Sequence, residues 1–357
     1  METLVTFREL SDAYRGKRVF ITGHTGFKGA WLMAVLHLAG AGIKGYALAP
    51  EYENGLFDIL GPLPGVDSCL ADIRDKDRLK AEMLAFQPDY VFHLAAQPLV
   101  RRSYEMPADT FDINVTGTAH VLEAVMALEK PCSVVAVTTD KVYENKETGV
   151  LYKESDALGG HDPYSASKAC AELVISSFRN CFFSPSTSRG LASARAGNVI
   201  GGGDWSRDRI IPDTARSLLS GRTIEVRNPV SVRPWQHVLE PLGGYLRLAI
   251  LLHRDARRYA KAYNFGPLPQ DHLSVKDLVE TAIATWGQGA WKDISSAEAP
   301  HEAGLLKLDI TMAREELYWT PRLDARQAIQ WALEWYRQPV GRQAEYTFQQ
   351  IKSYFPA

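Results

Sequence analysis

Short apolar runs alternate with helix-length segments through the first half of the chain. Arg18-Val19-Phe20-Ile21-Thr22 ends in glycine, and the pattern then predicts a helix over 27–39. A weaker strand follows at 42–48, a run at 68–70 leads into Ala71-Asp72, and residues 76–86 read as helix. Tyr90-Val91-Phe92-His93-Leu94 is another strand, followed by a long helical pattern from about 108 to 128 and a strand over 133–138. Asp162-Pro163 then opens a helix carrying Tyr164, Lys168, Glu172 and Ile175. Apolar strands separated by helices call for a parallel sheet covered on both faces.

After a strand at 192–199 the rhythm breaks. Gly201-Gly202-Gly203-Asp204-Trp205 is a glycine-rich loop, and 229–235 is rich in proline and arginine. Residues 237–252 look helical, 262–266 looks like one more strand, and helices recur near 275–286 and 325–336. The reading is an α/β fold: a Rossmann-type doubly wound parallel sheet with a smaller C-terminal α/β substrate-binding lobe. The sheet domain takes residues 1–200 plus 236–266, and the lobe takes 201–235 plus 267–357.

With 357 residues, 46% of them hydrophobic and 23% charged, the composition is that of an ordinary globular protein. A formal net charge of −2 without a basic block gives no nucleic-acid footprint. Cys69, Cys132, Cys170 and Cys181 lack metal-ligand spacing and read as reduced thiols. No metal site is expected. Residues 1–16 show no apolar leader, and the apolar stretches at 30–39 and 246–252 are too short to span a bilayer. The expectation is a soluble cytoplasmic protein.

Gly23-His24-Thr25-Gly26-Phe27-Lys28-Gly29 joins the first strand to the first helix, where a tight turn can bring backbone N–H groups to a pyrophosphate. A glycine triplet alone is weak evidence; its place in a βαβ unit raises it. The second strand ends in Leu48-Ala49-Pro50, with neither an acid for the ribose hydroxyls of NAD nor an arginine for a 2′-phosphate. Lys28 could face such a phosphate, so NAD is expected with NADP still open. Asp72 is placed to meet the adenine edge, or is a solvated turn residue.

Tyr164-x-x-x-Lys168 puts a phenol and an amine side by side on a helix, where the cation would acidify the phenol. Thr139-Asp140-Lys141 sets a hydroxyl, an acid and an amine at a strand end. Gly23-x-x-Gly26-x-x-Gly29, His93-Leu94-Ala95-Ala96, Thr139-Asp140 and Tyr164-x-x-x-Lys168 together resemble the extended short-chain dehydrogenase/reductase family, over nearly the whole chain. Within it, the nucleotide-sugar 4,6-dehydratases carry an Asp and a second acid–base residue at this strand end. That residue is usually Glu; here it is Lys141. Longer strings, among them 195–205 and Arg233-Pro234-Trp235-Gln236-His237, resemble the branch that acts on CDP-glucose.

The resemblance implies a redox-neutral dehydration in deoxysugar and O-antigen biosynthesis. Tyr164 would take the C4 hydroxyl proton, Lys168 would hold the nicotinamide ribose, and Thr139 would bond the same hydroxyl. Asp140 would be the acid at C6 and Lys141 the base at C5. It implies a cofactor site of Gly23, Thr25, Gly26, Phe27, Lys28, Gly29, Asp72, Ile73, Leu94, Ala95 and Ala96, with Tyr164 and Lys168. Gln97, Asn198, Arg209, Arg233 and Asn264 are the substrate residues, for CDP-glucose or a related nucleotide sugar. A homodimer or homotetramer is implied by analogy.

Chemistry of this kind needs a neutral Lys141 and a protonated Asp140, which burial favours and an ion pair between them would defeat. A 4-epimerase would use Gly23, Tyr164 and Lys168 alike but has no need of that pair. A non-catalytic nucleotide-binding protein would keep the glycines without needing Tyr164 or Lys168.

Overall fold

The computed structural model describes residues 5–146, 149–183, 189–295 and 306–357. Seven strands form its centre: β1 (Arg18–Thr22), β2 (Gly42–Ala47), β3 (Val66–Leu70), β4 (Tyr90–His93), β5 (Cys132–Thr138), β6 (Arg189–Ala196) and β7 (Ala262–Phe265). Their order is β7-β6-β5-β4-β1-β2-β3, and every pairing is parallel. The winding direction reverses between β1 and β4. In a sheet of this kind the crevice beyond the carboxyl ends at that reversal is where ligands bind.

The helices that matter for the site are α1 (Phe7–Tyr14), α2 (Phe27–Leu38), α3 (Lys76–Phe86), α4 (Gly117–Met126), α5 (Pro163–Phe178), α6 (Ile210–Leu219), α7 (Leu239–Arg254), α8 (Val275–Trp286), α9 (Ala325–Arg337) and α10 (Gln343–Tyr354). Strand residues alternate between two apolar clusters. Val19, Ile21, Val135 and Val137 join α2 and α7 on one face, while Phe20, Val91, Val134 and Leu191 join α3 and α4 on the other. Both faces of the central strands are buried, which is why β1, β4 and β5 read as apolar runs. The first cluster continues through Ile211, Leu278 and Ile329, so α6, α8 and α9 share a core with the sheet.

Several elements depart from the pattern-based reading. Three helices, α1, α6 and α10, were not anticipated, since each is short or strongly polar and owes its place to a few buried contacts. The long helix expected over 108–128 is interrupted by a π-helical turn at Asp112–Thr116, which carries the buried Asn114. Residues assigned to the lobe also pack on the sheet domain. Glu240 of α7 accepts the N–H groups of Arg322 and Leu323 and the Tyr354 hydroxyl, and Pro356 O accepts from Phe7 N. Those contacts tie the C-terminal segment to α7 and α1. Lobe strands are minimal, the longest being the parallel pair Ile224–Val226 and Trp291–Asp293.

Candidate active site

The β1–α2 turn is built around two close backbone approaches. Gly23 has φ +79°, and a Cβ there would stand 2.7 Å from Ala95 N; one on Gly29 would stand 2.1 Å from Gly23 O. Gly26 begins α2 with no side-chain cap, leaving its first N–H groups for an anion. Thr25 Oγ1 donates to Leu48 O, and Phe27 lies against Gly201. These features fit a dinucleotide pyrophosphate.

Behind the turn, Thr22, His93 and Thr118 form a buried chain. Thr118 Oγ1 donates to Asn114 O, so it accepts from His93 Nε2; His93 Nδ1 then accepts from Thr22 Oγ1 at 2.7 Å. Thr22 Oγ1 in turn accepts from the N–H groups of Leu94 and Ala95, both at 3.2 Å. Burial, with the Lys168 charge adding, pushes His93 down to about 3 and keeps it neutral. His93 thereby holds the Leu94-Ala95-Ala96 turn against Gly23. His24 is likewise structural: its ring sits over Gly45, bonds Ser68 and is pushed down to about 4 by burial.

On the adenosine side, Asp72 is closed on Arg74, at 2.7 Å, and Arg74 also meets Asp109 and Asp112. Ile73 is buried against Gly117. Leu48, at the end of β2, is 59% exposed.

The Thr139-Asp140-Lys141 step turns out of β5 as a short 3₁₀ helix with Thr139 as its N-cap. Asp140 is buried; Oδ1 accepts from Thr139 Oγ1 at 2.8 Å and Oδ2 from Asn198 Nδ2 at 3.4 Å. Lys141 is only half-buried, and among the described residues it makes no ion pair, so the feared Asp140–Lys141 bridge does not form. Both residues were expected to be buried; only Asp140 is.

Asp162, with Pro163 in the first turn, starts α5 by accepting from Ser165 N. Tyr164 and Lys168 then fall on one buried face. Burial pushes the Tyr164 phenol up to about 12, against a hydrogen bond with Thr139 that pulls it down. Lys168 is not among the groups that shift it; burial is the largest cause. Lys168 Nζ donates to Val137 O at 3.1 Å, and burial, opposed by Glu172, brings it down to about 8.

Lys28 is the main surprise. Burial and Arg209 push its amine down to about 7, while Asp140 pulls it up and Lys168 lowers it further. Arg209, Asp140 and Lys168 are thus the charges that act on it. Arg209 is held there by the buried Asp204 at 3.0 Å.

The other substrate candidates divide. Arg233 is half-buried in a short pair with Leu273, next to Pro234 and Gln236, which line a small pocket with Asp140 and His272. Gln97 and Asn264 already have partners inside the chain. The Gln97 amide is used up by Leu99 and Thr110. Asn264 donates to Tyr152 O and Asp309 O and accepts from Tyr143. Both are buried struts with no hydrogen left for a sugar.

A polar network beneath Lys168 had no counterpart in the sequence reading. Glu172 accepts from Thr138 at 2.6 Å, Ser193 at 2.9 Å and Arg195 at 2.9 Å, and Arg195 continues to Tyr143. Burial pushes Glu172 up, but these donors win and hold it below the usual range. The available signal was Thr138, Ser193 and Arg195, polar positions inside apolar strands, and Glu172 one turn after Lys168. Among the described residues no cluster of His, Cys, Asp or Glu could hold a metal, and no helix is long and apolar enough to cross a membrane.

A parallel Rossmann-type sheet, a glycine turn and a Thr-Asp-Lys strand end facing Tyr164 and Lys168 define an extended short-chain dehydrogenase/reductase. Residues 20–331 match the family described as GDP-mannose 4,6 dehydratase, and the chain belongs to that family. It is 46% identical to a CDP-glucose 4,6-dehydratase from Salmonella typhimurium over 91% of each chain. A dTDP-glucose 4,6-dehydratase from Streptomyces antibioticus is 28% identical over 89% of this chain and 92% of its own. Among solved structures, a dTDP-glucose 4,6-dehydratase from Streptomyces venezuelae with NAD bound has TM-score 0.77, 23% identity, and coverage of 91% of this chain and 98% of its own.

Proposed function

We propose that the protein dehydrates CDP-glucose to CDP-4-keto-6-deoxyglucose, with NAD as a cofactor that is regenerated in each cycle. The observation that carries this reading is Asp140, buried and bonded to Thr139 at the strand end where the buried Lys168 also anchors, in a chain so similar to a CDP-glucose 4,6-dehydratase. NAD is favoured over NADP because Arg74 is already paired with the carboxylates of Asp72 and Asp109.

When bound, NAD supplies the hydride acceptor at C4 and the donor at C6. Tyr164 receives the C4 hydroxyl proton, and Lys168, anchored on Val137 O, holds the ribose and supplies positive charge. The resulting 4-ketone acidifies C5–H. Lys141, half-buried and without an ion pair among the described residues, takes that proton, while Asp140 protonates the departing C6 hydroxyl. Arg209 and Arg233 hold the diphosphate and Asn198 orients the sugar beside Asp140. The segments 201–235 and 267–357 supply the nucleotide-sugar side of the crevice and the sheet domain the cofactor side. Pairing of copies through α5 is supported by its exposed Leu173 and the neighbouring Phe111 and Phe182.

Purified protein given CDP-glucose, and no reductant, is expected to form a 4-keto-6-deoxy sugar that absorbs under alkali. CDP-galactose as the product would identify an epimerase instead. A panel of CDP-, dTDP-, GDP- and UDP-glucose checks the base, and Tyr164→Phe should abolish turnover while nucleotide binding survives.

A further inference from the structure

Helix α5 carries Tyr164, Lys168 and Glu172 at four-residue steps, all buried, so the three lie along one face. Lys168 and Glu172 reach β5 at successive residues. Lys168 Nζ donates to Val137 O at 3.1 Å, and Thr138 Oγ1 donates to Glu172 Oε1 at 2.6 Å. Among the described residues, these are the side-chain hydrogen bonds that join α5 to β5. Glu172 Oε2 serves the neighbouring strand: Ser193 and Arg195 of β6 both donate to it at 2.9 Å. Arg195 lies opposite Thr138 in the sheet register and Ser193 opposite Ala136, so the three donors share one face of the two strands. One carboxylate thereby fixes α5 against both strands. The start of the helix is tied elsewhere, Tyr164 N to Ser103 and Ser167 to Asn114, and neither partner belongs to β5.

We propose that Glu172 is a positioning residue: through Thr138 it fixes how far α5 slides along β5, and so sets Tyr164 and Lys168 level with Thr139 and Asp140. The inference rests on the dehydratase reading, in which Tyr164 acts at C4 and Asp140 at C6 of one sugar. Thr138 directly precedes Thr139, and Glu172 stands about two turns from Tyr164 on the same helix. A slide of α5 by a single residue is about 1.5 Å. A misplacement of about 1 Å is already enough to cost 10²-fold in rate. Lys168 is a weak guard against such a slide, because its flexible stem can follow the Val137 carbonyl. Glu172 is buried and held at both oxygens. Its two oxygens are not equivalent. Oε2 keeps Arg195 if Ser193 is lost, whereas Oε1 has Thr138 as its one partner among the described residues. Thr138 is therefore the contact that carries the alignment, and Ser193 adds stability.

Thr138→Val removes this contact and leaves the Glu172–Arg195 ion pair in place. With NAD-loaded protein, kcat for CDP-glucose should fall roughly tenfold while KM stays near the wild-type value, because the diphosphate is held by the lobe. Deuterium at C4 should slow this variant more than the wild type, since a misplaced Tyr164 makes C4–H cleavage limit the rate. A merely structural loss would reduce the amount of active protein and leave that isotope effect alone. Thr138→Ser should restore both kcat and the wild-type isotope effect. Ser193→Ala should lower the urea midpoint yet turn over at the wild-type rate. Wild-type kcat in Thr138→Val, a lower kcat with no larger isotope effect, or an equal fall in Ser193→Ala would each overturn the positioning role. Conversion of CDP-glucose to CDP-galactose by the wild-type protein would instead overturn the dehydratase reading itself.

Discussion

Gly197 lies directly against the carboxylate of Asp140: a Cβ built on it would stand 2.0 Å from Asp140 Cγ. The next residue, Asn198, takes φ +51° and turns its amide onto Oδ2 of the same carboxylate. The β6 exit loop thus sets where the acid sits. Gly197→Ala should push Asp140 aside, costing about 1–3 kcal/mol of stability through overpacking. Turnover of CDP-glucose should fall by about 10² or more, since a displacement of about 1 Å is enough for that loss. Steady-state rates alongside NAD affinity check it: the affinity should hold, because the glycine turn of β1–α2 is untouched.

Lys28 tests which end of the crevice its amine serves. Lys28→Met should lower kcat for CDP-glucose without changing the preference for NAD over NADP, because its charge acts beside Asp140, Lys168 and Arg209. Kinetics with both cofactors decide it; a change confined to NADP would place the amine at the 2′ position.

Lys168 carries a stability cost with a definite pH signature. Its amine titrates near 8 in the folded chain and near 10.5 when unfolded. Between those values the unfolded chain holds a proton that the folded one has released, so stability rises with pH across the window. Below pH 8 the whole penalty, roughly 3 kcal/mol at most, remains. Lys168→Met should therefore be inactive yet more stable than wild type at pH 7, with the advantage shrinking by pH 10 in chemical denaturation.

Glu172 and Arg195 form a buried pair at 2.9 Å. Removing one partner strands the other's charge, so Glu172→Gln should cost about 3–5 kcal/mol, read from the urea midpoint. Adding Arg195→Met should recover part of that loss, while Lys168, deprived of the Glu172 charge, loses its proton at lower pH.

Much of this molecule was readable from residue order. The strand and helix rhythm from β1 to α5 came through because the central strands β1, β4 and β5 are apolar runs buried on both faces. The β1–α2 turn was visible because glycines at 23, 26 and 29 answer a local backbone demand, at Gly23 a positive φ and at Gly29 a near-contact with Gly23 O. Helices α1 and α10 stayed hidden because their places depend on partners far along the chain, such as Tyr14 on Leu246 O and Tyr354 on Glu240. Gln97 and Asn264 looked available for a sugar because a polar side chain's partners cannot be counted from its neighbours in sequence.

What residue order determined by itself was the local grammar of the site: the spacing that puts Tyr164 and Lys168 on one helix face, and the acid and amine that close β5. Those are short-range consequences of helix period and strand length. Tertiary structure alone decided that Asp140 is buried between Thr139 and Asn198, that Tyr164 is buried, and that Glu172 and Arg195 neutralise each other beneath Lys168. Burial and the meeting of charges from distant segments set those properties, and both exist only once the sheet has brought the strand ends together.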